Sequence, residues 1–355
     1  MLDFIHINEN FFGLKILICI TKTNLRRKAI KAAVFEDIKK IVYRENYPKP
    51  TIGFDDVLVK VHYCGICGSD ITNFKYKMFQ VPLVMGHEIS GEVIEIGENV
   101  SEVKIGDKVG CFTVLLDLSG GKLRGLGTFQ DGGFAEYVKV PKEWVFKIPE
   151  DISLKEAVLI ETFSLAIRAF KLTKIKDKEK ILIFGGGSVG LTTLKALLIL
   201  KDPNYVVVVE PQEFLRNKAI HLGANDAVSP RRAKIKKVIK NLGEPSFIFD
   251  CVGNQETLSD SIFLIKRGGT IVLEGIHKGS IPFPFFMINS KEVTLKGCLG
   301  HDREDIIAAI DIFANYNVNA NEFISEVVPL KDAQKAFEKY VEPIERDFVK
   351  ILLEV

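Results

Sequence analysis

Two short apolar runs, separated by a glycine-rich turn and a helical repeat, lie in the middle of the chain. Every residue of 181–184 and of 206–209 is apolar, which is typical of parallel strands that are buried on both faces of a sheet. Between the runs, four leucines recur on one face of a predicted helix: Leu191, Leu194, Leu197 and Leu198. Strand, turn, helix and strand in this order predict part of an open, doubly wound parallel sheet, to which 247–250 and 270–274 add further strands.

Ahead of this region, apolar residues alternate with polar ones. Val57, Val59 and Val61 share one face of a predicted strand at 55–62. Similar short segments follow, and glycine turns separate them: 89–97, 103–109 and 131–138. Short alternating strands joined by glycine turns predict a compact antiparallel barrel.

The composition limits the function classes that fit this chain. A length of 355 residues favours two domains over one core, and 47% hydrophobic with 26% charged residues is ordinary for a globular protein. A net charge of +2 without a large basic block argues against nucleic acid or an anionic membrane as the main partner. The six cysteines are irregularly spaced, which favours a reducing compartment, the cytoplasm, over a disulfide framework.

Residues 1–28 form a segment of different character. Its apolar run, 11–20, is interrupted by Lys15 and is too short to span a bilayer. Acidic residues precede this run and basic residues follow it, the reverse of a secretory signal. An added arm or strand, or a start codon assigned too far upstream, is favoured over a membrane anchor.

The glycine-rich turn carries the first candidate site. Gly185, Gly187 and Gly190 have the spacing of a dinucleotide-binding turn, in which glycines permit a tight turn, close approach of a pyrophosphate and close helix packing. Glu210 ends the second apolar run, where a carboxylate accepts hydrogen bonds from a ribose 2′-hydroxyl and repels a 2′-phosphate, so NAD is favoured over NADP. A glycine-rich turn in some other α/β sheet is the alternative. The cofactor-binding candidates of this region are Gly185, Gly187, Ser188, Val189, Gly190 and Glu210.

Three more candidates follow later strands of the predicted sheet. Ligands of an open parallel sheet lie at the carboxyl ends of its strands. Cys251 follows the strand at 247–250, and Gly275 and Ile276 follow the strand at 270–274. We expect them to lie beside the cofactor, with Gly275 and Ile276 near its nicotinamide ring. A small buried thiol is an equally good interpretation of Cys251.

The second candidate site lies in the alternating region. Cys64 and Cys67 form a C-x-x-C pair, which alone fits half of a structural zinc site or a redox pair. The sequence has no second such pair to complete a four-cysteine zinc site, and a thioredoxin-type motif belongs to a different strand–helix context. His87 and Glu88 follow further along the chain. One thiolate, one imidazole and nearby carboxylates predict a catalytic zinc site with an open coordination position.

Seven short motifs together resemble the medium-chain dehydrogenase/reductase family, in its zinc-dependent alcohol and polyol dehydrogenase branch. They occur in the family's order, and the resemblance covers all of the sequence except the N-terminal segment 1–28. The motifs are Cys64-Gly-Ile-Cys-Gly-Ser-Asp70, Gly86-His-Glu88, Gly106-Asp107, Asp131-Gly-Gly-Phe-Ala-Glu-Tyr137, Gly185-Gly-Gly-Ser-Val-Gly190, Phe249-Asp-Cys-Val-Gly253 and Gly268-Gly269.

The resemblance implies a fold, a site and a reaction. The fold is α/β: a GroES-like β-barrel catalytic domain, residues 29–163 and 301–355, plus a Rossmann domain with a doubly wound parallel sheet, residues 164–300. One catalytic zinc is bound by Cys67 and His87, with Glu88 and Glu161 as ligand or exchangeable near-ligand. Ser69 hydrogen-bonds the substrate oxygen. The implied reaction is reversible oxidation of a secondary alcohol, diol or polyol by NAD, in a homodimer or homotetramer.

Two departures from the family pattern change these expectations. The region 109–131, where the family carries a four-cysteine lobe for a structural zinc, contains only Cys111, so we predict no structural zinc. Thr72 stands where many relatives have a proton-relay histidine, and a threonine does not titrate near neutrality. We therefore expect the proton to leave through Ser69 and the cofactor ribose, towards Glu161 or solvent.

Two rival functions stay open at this point. One is a zinc-free reductase of the same fold, against which the residues Cys67, His87 and Glu88 argue. The other is a non-catalytic NAD-binding protein, which the shortened cysteine lobe and the missing relay histidine suggest.

Overall fold

The computed structural model describes residues 29–114, 124–276, 279–282, 284–341 and 345–355. The predictions made for the segment 1–28 lie outside these ranges, as does much of the shortened segment between residues 109 and 131.

The first part of the chain is built mainly of antiparallel strands. Its elements are β1 (Ala29–Asp37), β2 (Lys40–Pro48), β3 (Asp56–Gly65), α1 (Gly68–Tyr76), β4 (Leu83–Val84), β5 (Glu88–Ile96), β6 (Lys108–Cys111), β7 (Tyr137–Pro141), β8 (Val145–Lys147) and α2 (Leu154–Ala157). Strands β1, β2 and β4 form a small sheet in the order β2-β1-β4, and the remaining strands belong to a larger sheet.

The middle of the chain alternates helices with strands. Its elements are α3 (Ile160–Thr173), β9 (Lys180–Phe184), α4 (Ser188–Leu200), β10 (Tyr205–Val209), α5 (Glu213–His221), β11 (Asp226–Val228), α6 (Arg232–Leu242), β12 (Phe247–Asp250), α7 (Gln255–Leu264), β13 (Thr270–Leu273), α8 (Phe285–Lys291) and β14 (Thr294–Gly297). The strands form one parallel sheet in the order β11-β10-β9-β12-β13-β14. Every residue of β10 is buried, as expected for a strand that is covered on both faces. The predicted doubly wound sheet is confirmed.

The last part of the chain returns to the first. It contains α9 (Arg303–Asn315), β15 (Ile324–Pro329), α10 (Ala333–Val341) and β16 (Lys350–Glu354). Strand β16 pairs antiparallel with β3 and parallel with β15. The larger sheet therefore runs β15-β16-β3-β5-β6-β8, with β7 paired to β3.

Among the described residues, the apolar core has three clusters. One fills the barrel, where Phe337 of α10 packs on Phe74 and Phe134 with ring centroids 5.1 and 5.8 Å apart. The other two cover opposite faces of the parallel sheet. Phe163 of α3 and Phe313 of α9 meet edge to face in the second cluster, at 5.0 Å. Helix α9, which was assigned to the catalytic domain, packs on α3, most of which was assigned to the Rossmann domain. The domain boundaries at 163/164 and 300/301 therefore stay a proposal.

No helix in the described ranges combines the length and the apolar composition needed to cross a membrane.

Candidate metal and cofactor site

The pairing of β3 with β5 brings the ligand candidates together. Gly65 at the end of β3 lies opposite Glu88 at the start of β5. Cys67, two residues past Gly65, is the N-cap of α1, and His87 comes directly before β5. The preceding Gly86 has a φ of +94°, and a Cβ there would lie 2.7 Å from Cys64 Sγ. Only glycine therefore fits the turn that brings His87 to Cys67.

Cys67, His87 and Glu88 form a group that fits a metal ion. Their Sγ, imidazole nitrogen and carboxylate oxygen all lie within 4.8 Å of one another. A thiolate, an imidazole and a carboxylate are the donors that zinc takes in catalytic sites. These three residues were predicted from the sequence, and the structure places them side by side.

Asp70 orients the group, a role that the sequence analysis did not assign. Its Oδ2 accepts a hydrogen bond from the backbone N–H of Cys67 at 3.0 Å, and its Oδ1 lies 3.6 Å from His87 Nδ1. Burial alone would lower the pKa of His87, but the negative Asp70 and Cys67 raise it well above its usual value. A carboxylate behind a ligating histidine typically fixes the orientation of the ring.

Glu88 is held by a lysine from the far end of the chain. Lys350 Nζ on β16 lies 2.6 Å from Glu88 Oε1 and also contacts Oε2, and both side chains are fully buried. Burial lowers the pKa of Lys350, but Glu88 more than reverses this and raises it. A Cβ at Gly65 would lie 1.9 Å from Glu88 Oε2, so this glycine leaves room for the carboxylate.

Glu161 lies at the side of this group and is not part of it. It is in the first turn of α3. Burial raises the pKa of its carboxyl to about 7, although the positive charges of His87 and Lys350 oppose that shift. Its Oε1 is 4.0 Å from Nδ1 of His301. A metal-ligand role for Glu161 therefore stays a prediction.

Two hydroxyl side chains of α1, Ser69 and Thr72, contact different groups. Ser69 Oγ lies 3.4 Å from His87 Nε2, at the site. Thr72, about one helical turn further along α1, donates a hydrogen bond from Oγ1 to the carbonyl oxygen of Gly68 at 3.0 Å. Thr72 is thus tied to its own helix, whereas Ser69 faces the ligand candidates.

His301 also belongs to this region and was missed from the sequence. Its side chain is 2% exposed, and neither ring nitrogen has a hydrogen-bond partner among the described residues. Burial, with the positive His87 as the next cause, lowers the pKa of His301 to about 3, so the ring is neutral. The sequence offered no signal for it, because the strand that precedes it, β14, was not predicted either.

The glycine-rich turn has the geometry predicted for a nucleotide site. Gly185 has a φ of +95°, and a Cβ at Gly190 would lie 1.9 Å from the Gly185 carbonyl oxygen. Helix α4 begins at Ser188, followed by Val189, and Gly187 is its N-cap, so unpaired N–H groups face an incoming phosphate. Glu210 lies against this turn, since its Oε2 accepts from Gly186 N–H at 2.7 Å.

The loops after β12 and β13 meet beside this turn. A Cβ at Gly275 would lie 2.3 Å from the backbone N of Gly253, so the two loops are in direct contact. Ile276 is 46% exposed beyond this contact. Cys251 Sγ lies 3.7 Å from Glu274 Oε2, and burial raises the pKa of this thiol well above its usual value, followed by the effect of Glu274. Cys251 is therefore a protonated, half-buried thiol at the sheet edge, which suits both interpretations made from the sequence.

Comparison with known proteins identifies the family. Residues 53–150 match the alcohol dehydrogenase GroES-like domain, and residues 188–315 match the zinc-binding dehydrogenase family. The chain is 32% identical over 313 residues to the D-xylulose reductase of Saccharomyces cerevisiae, covering 80% of this chain and 86% of that protein. The chain belongs to the zinc-dependent medium-chain alcohol and polyol dehydrogenase family.

Two more relatives of this dehydrogenase agree with that assignment. Sorbitol dehydrogenase of Rattus norvegicus is 28% identical over 316 residues, covering 83% of this chain and 88% of that protein. The solved structure of 2R,3R-butanediol dehydrogenase from Bacillus subtilis has a TM-score of 0.81 at 27% identity, covering 92% of this chain and all of that chain. The resemblance read from the motifs is confirmed, together with the two-part fold and the dependence on zinc and NAD(H).

Proposed function

We propose that this protein transfers hydride reversibly between NAD and a secondary alcohol group of a diol or polyol. The observation that carries this proposal is the group of Cys67, His87 and Glu88, within 4.8 Å of one another on a chain that also has a dinucleotide turn. The names of the relatives, which act on xylulose, sorbitol and butanediol, support the substrate class.

Each residue of the site has a proposed role. Cys67 and His87 would hold the zinc, which when bound supplies a Lewis acid that lowers the pKa of the substrate hydroxyl. Asp70, whose Oδ1 lies 3.6 Å from His87 Nδ1, would orient the His87 ring by charge. Lys350 balances the negative charge of the Glu88 carboxylate and holds that side chain in place. NAD supplies the hydride acceptor, and Glu210 would bind its ribose.

The substrate proton is proposed to leave through a hydroxyl. Ser69 Oγ, 3.4 Å from His87 Nε2, is placed to accept a hydrogen bond from the substrate hydroxyl. Glu161 is the nearby carboxyl whose pKa, about 7, suits a group that takes up and releases a proton at neutral pH. We propose Glu161 as the next proton holder, or as a ligand that exchanges with Glu88.

Zinc content and activity of Cys67→Ala test the metal assignment. We expect this variant to lose zinc and to lose activity on diols by several orders of magnitude, because one of two non-carboxylate donors is gone. Cys64→Ala is the matched control: Cys64 is the other member of the pair, is fully buried and lies outside the ligand group. It should keep its zinc.

The outcomes separate the rival functions. Full activity of Cys67→Ala, or wild-type activity in protein without metal, would favour the zinc-free reductase. Cofactor binding without NADH formation across diols, polyols and secondary alcohols would favour the non-catalytic protein. Equal losses in the two cysteine variants would indicate that the pair acts as a unit, as a redox pair does.

The finer statements on partners and location are also proposals. We propose a homodimer or homotetramer with a small-molecule substrate and with neither nucleic acid nor membrane as a partner. A cytoplasmic location is supported by the free state of all five described cysteines. Cell fractionation that recovers the protein outside the cytoplasm would contradict it.

A further inference from the structure

His301 lies where the two parts of the chain meet. It follows β14, the last strand of the parallel sheet, and is two residues ahead of α9. Its backbone forms a bridge to Val114, just past β6 of the barrel. The backbone of His301 is therefore held from both sides, and its side chain reaches Glu161, with 4.0 Å between Nδ1 and Oε1.

The imidazole of His301 is buried without hydrogen bonds. It is 2% exposed, and both Nδ1 and Nε2 lack a partner in the described part of the chain. The 4.0 Å to Glu161 is too long for a hydrogen bond. Leaving a buried donor or acceptor unpaired costs about 1–3 kcal/mol, so a side chain with two such atoms is expected to have a partner outside the described part of the chain.

The polar neighbours of His301 are engaged with one another. Asp302 accepts from the backbone N–H of Asp305 at 2.9 Å and contacts Arg168 Nη1 at 2.6 Å. Arg168 also faces Asp305, at 3.7 Å. Arg168, Asp302 and Asp305 therefore interact with one another beside α9, whereas the described contact of the His301 ring, through Nδ1, is to Glu161 at the site.

A neutral imidazole has one N–H donor and one nitrogen acceptor. A hydroxyl group is both a donor and an acceptor, and therefore matches it. We propose that His301 binds a hydroxyl of the substrate other than the one that is oxidised, and so makes the enzyme select diols and polyols over simple secondary alcohols. This inference rests on the proposed function, since it places a substrate at the group of Cys67, His87 and Glu88.

A pair of substrates that differ by one hydroxyl tests the inference. For the wild-type enzyme we expect a higher kcat/KM on 2,3-butanediol than on 2-butanol. In His301→Leu, kcat/KM on the diol should fall about 10- to 100-fold, the effect of losing one or two hydrogen bonds to a buried group, while that on 2-butanol stays the same or rises. His301→Gln, which retains a donor and an acceptor, should recover part of the preference.

A binding measurement accompanies the kinetics. Adding the diol to the enzyme–NADH complex forms a ternary complex that cannot react, and it should raise the melting temperature of wild type more than that of His301→Leu. Zinc content and affinity for NADH should be unchanged in the variant. The control is His62→Leu, because His62 on β3 is half-buried and also has an unpaired Nε2 among the described residues; it should keep the wild-type diol preference.

The result separates this inference from the proposed function. An enzyme that oxidises both alcohols, with the same diol preference in wild type and His301→Leu, overturns the inference alone. Equal losses on both substrates also overturn it, because they indicate a structural role. A wild-type protein that is inactive on every alcohol overturns the proposed function and the inference together. If His301→Leu fails to fold, His301→Phe provides the same comparison, because it has an aromatic ring without a donor or acceptor.

Discussion

Glu161 and Glu274 are two buried carboxyls that sit in different electrostatic surroundings. Burial raises the pKa of Glu161 to about 7, with the cations His87 and Lys350 opposing the shift. Burial raises the pKa of Glu274 further, to about 8, and its partners are the hydroxyl of Thr193 at 3.1 Å and the thiol of Cys251 at 3.7 Å. Glu274 therefore holds a proton at neutral pH beside the loops that face the cofactor.

This proton makes the stability of the protein depend on pH. The folded protein keeps the Glu274 proton up to about pH 8, whereas the unfolded carboxyl, with a pKa of 4.5, releases it earlier. The stabilisation is therefore complete below pH 4.5 and is lost as the pH rises to about 8, by about 1.4 kcal/mol for each unit of pKa shift. Glu274→Gln removes this dependence and keeps an acceptor for Thr193.

Urea unfolding at pH 5 and pH 8 measures the effect. The free energy of unfolding of the wild type, relative to that of Glu274→Gln, should be lower at pH 8 than at pH 5. The exposed Glu98→Gln, which changes the same chemical group at the surface, should follow the wild type. If the free energy of unfolding changes with pH equally in wild type and Glu274→Gln, Glu274 does not hold a proton in the folded protein.

Single residues differ in how visible they were in the sequence. Cys67 and His87 stand in short motifs, and donor type with spacing was enough to predict the metal group. Lys350 is 262 positions away from its partner Glu88, and no local pattern can show such a contact. Asp70 was inside a quoted motif, but its role depends on the turn that brings His87 back to it. His301 has no local pattern at all, because its significance comes from burial without a partner.

At the scale of secondary-structure elements, one sheet holds Glu88 of the metal group and its partner Lys350. β5 lies between β3 and β6, and β3 lies between β5 and β16. The ion pair of Glu88 and Lys350 spans from β5 across β3 to β16, inside the barrel. This pair therefore fixes the last strand of the chain to the strand that begins at the metal group.

A double-mutant cycle on this ion pair tests its contribution. In metal-free protein, Lys350→Met should lower the free energy of unfolding by about 3–5 kcal/mol, because it leaves the Glu88 carboxylate buried and unpaired. Adding Glu88→Gln should restore much of that loss, since the unpaired charge is then gone. Chemical denaturation of the four proteins measures the coupling.

An exposed ion pair is the matched control for this cycle. Lys339 Nζ lies 2.6 Å from Glu326 Oε2 at the surface. Lys339→Met should therefore change stability by no more than about 1 kcal/mol. Similar losses in the two lysine variants would contradict the argument from burial.

The elements that were predicted best are those with a continuous apolar pattern. Strands β9, β10, β12 and β13 were predicted within one residue of their ends, because strands buried on both faces are apolar throughout. Strand β14 was not predicted, since it reads Thr294-Leu-Lys-Gly297 and is largely exposed at the sheet edge. The hairpin of β1 and β2 was also not placed, because the second strand is mostly exposed.

At the scale of the whole molecule, β14 is an edge strand of the parallel sheet, open on its outer side among the described residues. Three large apolar side chains are exposed on the neighbouring segments: Phe285 and Phe286 on α8, at 67% and 82%, and Leu299 past β14, at 64%. An open strand edge with apolar side chains beside it is suited to pairing with a second copy of the chain. This surface supports the proposed homodimer.

Sedimentation at micromolar concentration measures the assembly. We expect a dimer or tetramer for the wild type and a shift towards monomer for Leu299→Glu, which places a charge beside the open edge. Ile105→Glu is the control, because Ile105 is 63% exposed but lies in the barrel. A monomeric wild type, or the same shift in both variants, would rule out this edge as the interface.

The position of Lys350 has a consequence for the way the protein matures. A ribosome makes the chain from its amino end, so Cys67, His87 and Glu88 leave the exit tunnel long before Lys350 is added. Until then the Glu88 carboxylate has no cation, and β3 lacks the neighbour that β16 provides. A nascent or truncated chain that ends before this lysine therefore lacks both the cation beside Glu88 and the strand beside β3, so the finished pocket forms only when synthesis is nearly complete.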